Sequence, residues 1–321
     1  MKTVLIPQDV AEEGKAFLRQ KGYAIKMGRG TDKASLLRDV SEVDAILFRN
    51  EAYDAEILHA AKNLKVMSRH GVGVNLVDLK VAEELGIWVT NGPTSNSNTV
   101  AEMGIGFIVA LGRNLLASNR AAHQGDFDFR NRTIGIDLQG KTLALIGMGK
   151  IGRLLAQKAH EGLGMNVVGY DSRTKEVSFP PYVERLETFD DAFRMGDFVS
   201  IHYPSSKAND KTVKLSQFQL MKKSAYFINL ARGELVVEQD LVKALQMKLL
   251  AGAALDVFDD EPPKKDNPLL AFENVLLTPH NAALTSDCMI RMALHAAQGI
   301  DEVLTGKEPT WPVNHPKKMR T

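Results

Sequence analysis

The chain holds a single cysteine, Cys288, among its 321 residues. One cysteine cannot form an intrachain disulfide, and no Cys/His group carries the spacing of a zinc site, so no metal centre is expected. An excess of one charge is also missing. Lys+Arg 40 against Asp+Glu 39 leave a net +1, so no global field draws the protein to DNA or to an anionic membrane, and nucleic acid is not an expected partner. Long apolar runs are lacking too. No stretch approaches the ~20 residues of a membrane span, because Glu102, Arg113 and other polar residues interrupt every candidate. The opening, MKTVLIPQDV, has too short an apolar run for a signal peptide. There is no internal repeat, no low-complexity segment and no GxSxG elbow for a nucleophilic serine. A cytoplasmic location fits these absences.

What is present is the balance of a globular protein, 44% hydrophobic and 25% charged, in a chain long enough for two cores. In its first third, Thr3–Ile6, Ala24–Met27, Ala45–Phe48, Lys65–Ser68 and Ile87–Thr90 read as short strands. Between them, Gly14–Lys21, Lys33–Val40, Ala55–Ala61 and Val77–Leu85 carry apolar residues at helical spacing. Such alternation predicts a parallel sheet covered on both faces. Thr99–Leu116 then reads as one long apolar helix, capped by Asn98 or Ser97. The polar segment Gly125–Asp137 follows as an arm. A second α/β unit begins at Lys141, with strands at Leu143–Ile146, Asn166–Tyr170, Phe198–His202, Ala225–Asn229, Ala251–Asp256 and Val275–Thr278. The helical tail from Ser286 to Val303 is expected to return to the first domain, with hinges near Asn98 and Thr285.

The strand Leu143–Ile146 runs into Gly147-Met148-Gly149-Lys150-Ile151-Gly152, which opens a helix. In this context the glycines serve a tight turn, a close approach of backbone to a pyrophosphate, and the packing of helix on strand. The helix N-terminus then offers unpaired N–H groups to phosphates. Asp171 ends the next strand, about 20 residues past the last glycine, where an acid accepts hydrogen bonds from both ribose hydroxyls and repels a 2′-phosphate. NAD is therefore expected over NADP, although Arg173 is of the type that can receive that extra phosphate.

Three polar residues downstream suit 2-oxo acid chemistry. His280 follows a strand and Pro279, on a loop leaving the sheet's carboxyl edge, the edge at which ligands bind. Glu261 sits in the loop VFDDEPP, where Pro262 and Pro263 stiffen the backbone. Paired with His280, it would favour the imidazolium and keep a proton donor loaded. Arg232 comes directly after a buried strand, and a guanidinium there can grip a carboxylate and polarise the neighbouring carbonyl.

With these residues in place, the chain resembles the D-isomer-specific 2-hydroxyacid dehydrogenases over nearly its whole length. The resemblance runs through RHGVGVNLVDL at 69–79, VTNGPTSNSNTVAEM at 89–103, LQGKTLALIGMGKIG at 138–152, FINLARGELVVEQDLVKAL at 227–245, AALDVFDDEPP at 253–263, TPHNAALT at 278–285 and PVN at 312–314. It implies that Arg232, Glu261 and His280 are catalytic, that Gly71-Val72-Gly73 receives the substrate carboxylate, that Asp256 holds the nicotinamide carboxamide, and that Thr99 and Val100 lie near the nicotinamide and phosphate. It also implies a homodimer joined through the long helix and the arm. Arg49 and Asn50 are expected at the substrate. His202, Tyr203, Pro204, Leu230, Ala231 and Ser172 are expected at the dinucleotide with Arg173. The sequence departs from the family pattern at Asn75-Leu76, at Asn281 and Ala283, and at Ser172-Arg173-Thr174.

The expected architecture is thus α/β, with two doubly wound parallel-sheet domains and a cleft between them. Residues 1–98 and 286–321 form a flavodoxin-like substrate domain, and 99–285 a Rossmann dinucleotide-binding domain. The expected function is NAD-dependent, reversible hydride transfer on a small 2-hydroxy or 2-oxo acid, with 3-phosphoglycerate or phosphohydroxypyruvate as one substrate and glyoxylate or hydroxypyruvate as the alternative. Arg49, Arg69 and His70 are placed to meet a second anionic group. A dinucleotide-sensing corepressor-like protein is the rival from another class.

Overall fold

The computed structural model describes residues 1–173 and 177–320; Thr174, singled out above, lies outside them. The chain divides into two compact units, Met1–Asn96 with Ala283–Thr321, and Ser97–Ala282.

The first unit is built on five parallel strands: β1 (Thr3–Ile6), β2 (Ala24–Met27), β3 (Ala45–Phe48), β4 (Val66–Arg69) and β5 (Trp88–Thr90). Their spatial order is β2-β1-β3-β4-β5, the flavodoxin-like arrangement. No residue of β3 is more than 1% exposed, as a strand buried on both faces of a parallel sheet requires. Three of the crossover helices begin in the same way. The carboxylates of Asp32, Asp54 and Asp78 accept the backbone N–H groups of Ser35, Ile57 and Val81, which satisfies donors that the helix leaves unpaired. The helix Ser286–Leu304 returns from the far end of the chain, capped by Thr285. It lays Ala293, Ala296, Ala297 and Ile300 against Val4, Ile6, Ala45, Leu47 and Val66. Small alanines let helix and sheet approach closely, and that burial recruits the tail into this unit.

The second unit holds seven parallel strands: β6 (Thr142–Ile146), β7 (Asn166–Tyr170), β8 (Val183–Arg185), β9 (Phe198–Ile201), β10 (Tyr226–Asn229), β11 (Gly252–Leu255) and β12 (Val275–Leu277). The order β12-β11-β10-β9-β6-β7-β8 is the Rossmann order with one strand added, and it reverses between β6 and β9. Ile146, Val168, Phe193, Val199, Phe218, Phe227 and Leu255 share one buried cluster in this unit. The sequence offers no sign of β8, because two of its three residues face solvent and leave no apolar run to read.

One expectation is corrected. The helix read over Thr99–Leu116 is two helices, Ser97–Gly112 and Leu115–His123, bent by 61°. The bend falls at Asn114, whose φ of 50° is left-handed, a conformation that asparagine tolerates because its short side chain bonds locally. Ser97 is the first helical residue rather than a cap, and Asn98 Nδ2 donates to Glu102 Oε1 at 2.6 Å. In the arm, Phe129–Arg132 forms one helical turn, while Phe127 and Ile134 are exposed. Among the described residues no single helix is long and apolar enough to cross a membrane.

Candidate active site

Arg232, Glu261 and His280 all emerge from the carboxyl ends of neighbouring strands in the second unit, after β10, β11 and β12. His280 Nδ1 lies 2.6 Å from Glu261 Oε2, and Glu261 Oε1 accepts the Phe258 N–H at 3.1 Å. Both side chains stay partly open, 49% exposed for His280 and 36% for Glu261. Burial pushes the Glu261 carboxyl up. The hydrogen bonds from His280 and Phe258 and the charges of His280 and Arg232 outweigh that, so it titrates below its ordinary value. A carboxylate kept ionised beside an imidazole is what a proton donor requires.

The backbone of His280 is itself unusual, with φ +50°, a strained conformation for a residue with a side chain. Asp256 holds it there. Its buried carboxylate accepts the Thr278 hydroxyl at 2.6 Å and the N–H groups of Asn281 at 2.8 Å and Ala282 at 3.0 Å. The loop is thereby fastened on both sides of the histidine.

Arg232 is set by a residue that the sequence reading passed over, Asn229. The Asn229 Oδ1 accepts the Ala231 N–H at 3.0 Å, and its Nδ2 donates to the Arg232 carbonyl at 2.9 Å. An asparagine just ahead of a turn is a recognisable side-chain-to-backbone signal. Leu230, inside that turn, is buried.

The glycine turn lies where the strand order reverses. Gly147 has φ +100°, and a Cβ there would stand 2.7 Å from the His202 carbonyl carbon and 2.8 Å from the Tyr203 nitrogen. The turn is therefore pressed against the end of β9, which puts His202 and Tyr203, with Pro204 following, at the reversal point. A Cβ on Gly152 would meet the Gly147 carbonyl oxygen at 2.2 Å, so helix and strand close only over glycine. At Gly149, the N-cap of the helix Lys150–Gln157, a Cβ would meet nothing within 4 Å. An open glycine at a helix N-terminus fits the phosphates of a dinucleotide. Asp171, 4% exposed, accepts the Met148 N–H at 2.9 Å. It also accepts three bonds from Arg173, one from the backbone N–H and two from the guanidinium. Thr99 and Val100 are buried near the start of the helix Ser97–Gly112.

In the first unit, the Gly71-Val72-Gly73 loop has all three carbonyls engaged. Gly92 N–H donates to Gly71 at 2.8 Å, Asn91 Nδ2 to Val72 at 2.8 Å, and Arg69 Nε to Gly73 at 2.8 Å. Arg69 Nη2 also donates to Asn50 Oδ1 at 3.0 Å, and Arg49 Nη1 to the Asp9 carbonyl at 3.0 Å. Asn91 joins this site as a residue that sequence reasoning missed. His70 is buried, with Nε2 3.2 Å from the Met289 carbonyl. Burial and the Arg49 charge bring its pKa down to about 4, so it is neutral at neutral pH.

A Rossmann-ordered sheet, a glycine turn at its reversal point and an imidazole–carboxylate pair on neighbouring strand ends mark the second unit as one of the dinucleotide-handling α/β proteins. Comparison with known proteins narrows the class. Residues 105–282 match the family model "D-isomer specific 2-hydroxyacid dehydrogenase, NAD binding domain". D-3-phosphoglycerate dehydrogenase of Archaeoglobus fulgidus is 34% identical over 98% of this chain and 59% of its own length. The chain thus spans less than two thirds of that relative. Glyoxylate reductase of Thermofilum pendens is 36% identical over 88% of this chain and 84% of its own. The crystal structure of the TT0316 protein of Thermus thermophilus superposes with a TM-score of 0.89 at 32% identity, covering 97% of this chain and 100% of that one. The chain belongs to the D-isomer specific 2-hydroxyacid dehydrogenase family.

Proposed function

We propose that the protein is an NAD-dependent D-2-hydroxyacid dehydrogenase that interconverts a small 2-hydroxy acid and its 2-oxo acid. The observation that carries this reading is the Glu261–His280 pair at 2.6 Å on the same strand-end edge as Arg232. It is a proton donor with its counter-charge, next to a cation suited to a carboxylate or a carbonyl oxygen.

The second unit would hold the dinucleotide through the Gly147–Gly152 turn, Asp171 and the strand ends at His202–Pro204 and Leu230–Ala231, with Ser172, Thr99 and Val100 beside it. When bound, the nicotinamide supplies the hydride that adds to C2 of the 2-oxo acid. The protein's own groups do the rest. Arg232 draws charge toward the carbonyl oxygen, a stabilisation that grows as that oxygen becomes an alkoxide. His280 gives the alkoxide its proton, and Glu261 keeps the imidazolium in place and oriented. Asp256 fixes the histidine's loop and is the residue proposed for the nicotinamide carboxamide. The N–H groups around Val72 and Gly73, whose loop carbonyls are turned into other bonds, are proposed to receive the substrate carboxylate, with Arg49 and Asn50 nearby. Oxidation runs the same proton path in reverse.

For the substrate, the relative from Archaeoglobus supports 3-phosphoglycerate and phosphohydroxypyruvate. The relative from Thermofilum, matched over most of its length, supports glyoxylate or hydroxypyruvate as a second reading. We also propose a cytoplasmic homodimer; the exposed Phe127 and Ile134 of the arm support an apolar contact between copies. The test is a panel of 2-oxo acids including phosphohydroxypyruvate, glyoxylate and hydroxypyruvate, each run with NADH and NADPH. Turnover of at least one is expected; no turnover of any would end the dehydrogenase reading and favour a sensing protein.

A further inference from the structure

Resting on the dehydrogenase reading, we propose that Glu238 is a positioning residue for the proton-transfer pair, its carboxylate clasping both ends of the loop that carries Glu261. Glu238 Oε2 accepts the Asp259 N–H at 3.3 Å, and Oε1 accepts Asn267 Nδ2 at 2.8 Å. Asn267 Oδ1 in turn accepts the N–H of the buried Leu269 at 2.9 Å. One side chain thus closes the segment Asp259–Asn267, with Glu261 inside it.

Packing does not hold this loop. Val257 and Phe258 are buried, but every residue from Asp259 to Pro268 is exposed or half-buried. Polar bonds must therefore set where Glu261 stands. Lys211 pairs with the Asp259 carboxylate, yet both groups are open to solvent, where such a pair contributes little. Glu238 is better founded. It opens the helix Glu238–Gln246, which buries Leu241, Val242, Ala244 and Leu245, and a carboxylate there faces the positive end of the helix dipole. Both bonds that it accepts are charge-assisted.

A loop tied at both ends to one rigid group has few conformations left, which presents Glu261 to His280 at 2.6 Å. Glu238 also lines a small cavity with Asn229, Gly233 and Phe258. Asn229 fixes the Arg232 turn, and the Phe258 N–H binds Glu261. The clasp therefore sits between the mounts of the guanidinium and the carboxylate, beside a void into which a released loop can move.

The test is a double-mutant cycle on kcat, with NADH and the 2-oxo acid that the wild type turns over fastest. Glu238→Gln is nearly isosteric, but its amide accepts at one end of the loop and turns a donor toward the other. It should lower kcat by about 10- to 100-fold, the scale of a small misplacement, with Tm and the Kd for NADH near wild type. In a Glu261→Gln background the same change should cost less than about twofold, because it acts through the group already altered. Asn267→Asp keeps the acceptor for Leu269 and sets a carboxylate against Glu238; it should repeat both results. Wild-type kcat in Glu238→Gln, or an equal loss in both backgrounds, overturns this inference alone. Wild-type kcat in Glu261→Gln, or no turnover of any 2-oxo acid, overturns the reading on which it rests.

Discussion

A Cβ added to Gly233 would stand 1.8 Å from the carbonyl oxygen of Phe258. Gly233 immediately follows Arg232, and the Phe258 N–H is the group that Glu261 Oε1 accepts. This one backbone contact therefore ties the guanidinium's turn to the carboxylate's loop. Gly233→Ala must push the two segments apart, at a cost of about 1–3 kcal/mol or more from overpacking. A lowered Tm with kcat/KM reduced beyond what the unfolded fraction explains is expected; a variant with wild-type Tm and activity would show the contact to be slack.

His280→Ala should lower kcat by about 10²–10⁴-fold, the usual worth of a positioned acid, and leave the Kd for NADH nearly unchanged. Glu261→Gln should do less, since the imidazole remains but loses its counter-charge. Because the folded carboxyl titrates below its ordinary 4.5, wild-type activity should persist toward acid until pH falls through that lowered value. Steady-state kinetics across pH, paired with cofactor titration, checks both variants.

Asp256→Asn replaces an acceptor with a donor that must face the N–H of Asn281 or Ala282, or the Thr278 hydroxyl. Leaving such a group unsatisfied costs about 1–3 kcal/mol, and the loop is then less able to hold His280 at positive φ. The expected result is a drop in kcat with little change in global structure. Retained kcat with a raised Kd for NADH would assign Asp256 to the cofactor alone.

Stability should fall as the solution is acidified from about pH 6.5 toward pH 4. His70 and His202 are both brought down from 6.5 to about 4, chiefly by burial. Between those values the unfolded chain binds protons that the folded one refuses, so unfolding gains on acidification. Denaturant melts at several pH values should give a shallower slope for His70→Asn than for wild type; an identical slope would remove His70 from the linkage.

Much of the site was legible in advance. The glycine turn and Asp171 announce themselves by spacing around a strand, and the three residues proposed to be catalytic sit in loops that follow apolar strands. Their partners were less visible. Asn229 and Asn91 look like ordinary turn residues until their amides are seen on particular carbonyls. The bend at Asn114 was hidden because apolar periodicity continues across it and one left-handed residue leaves no mark on hydrophobicity. Arg69 read as a group for an anion, yet two of its nitrogens hold Gly73 and Asn50.

Local order along the chain, apolar alternation, turn residues and the glycine spacing, determined that two parallel sheets would form and where we propose that a dinucleotide is held, because those signals act between near neighbours. Only the tertiary structure decided that Glu261 reaches His280, that Asp256 staples the histidine's loop, and that Arg173 folds back on Asp171. Those are hydrogen bonds a few ångströms long, and their lengths depend on how strands, turns and side-chain torsions settle in space, which spacing along a chain does not encode.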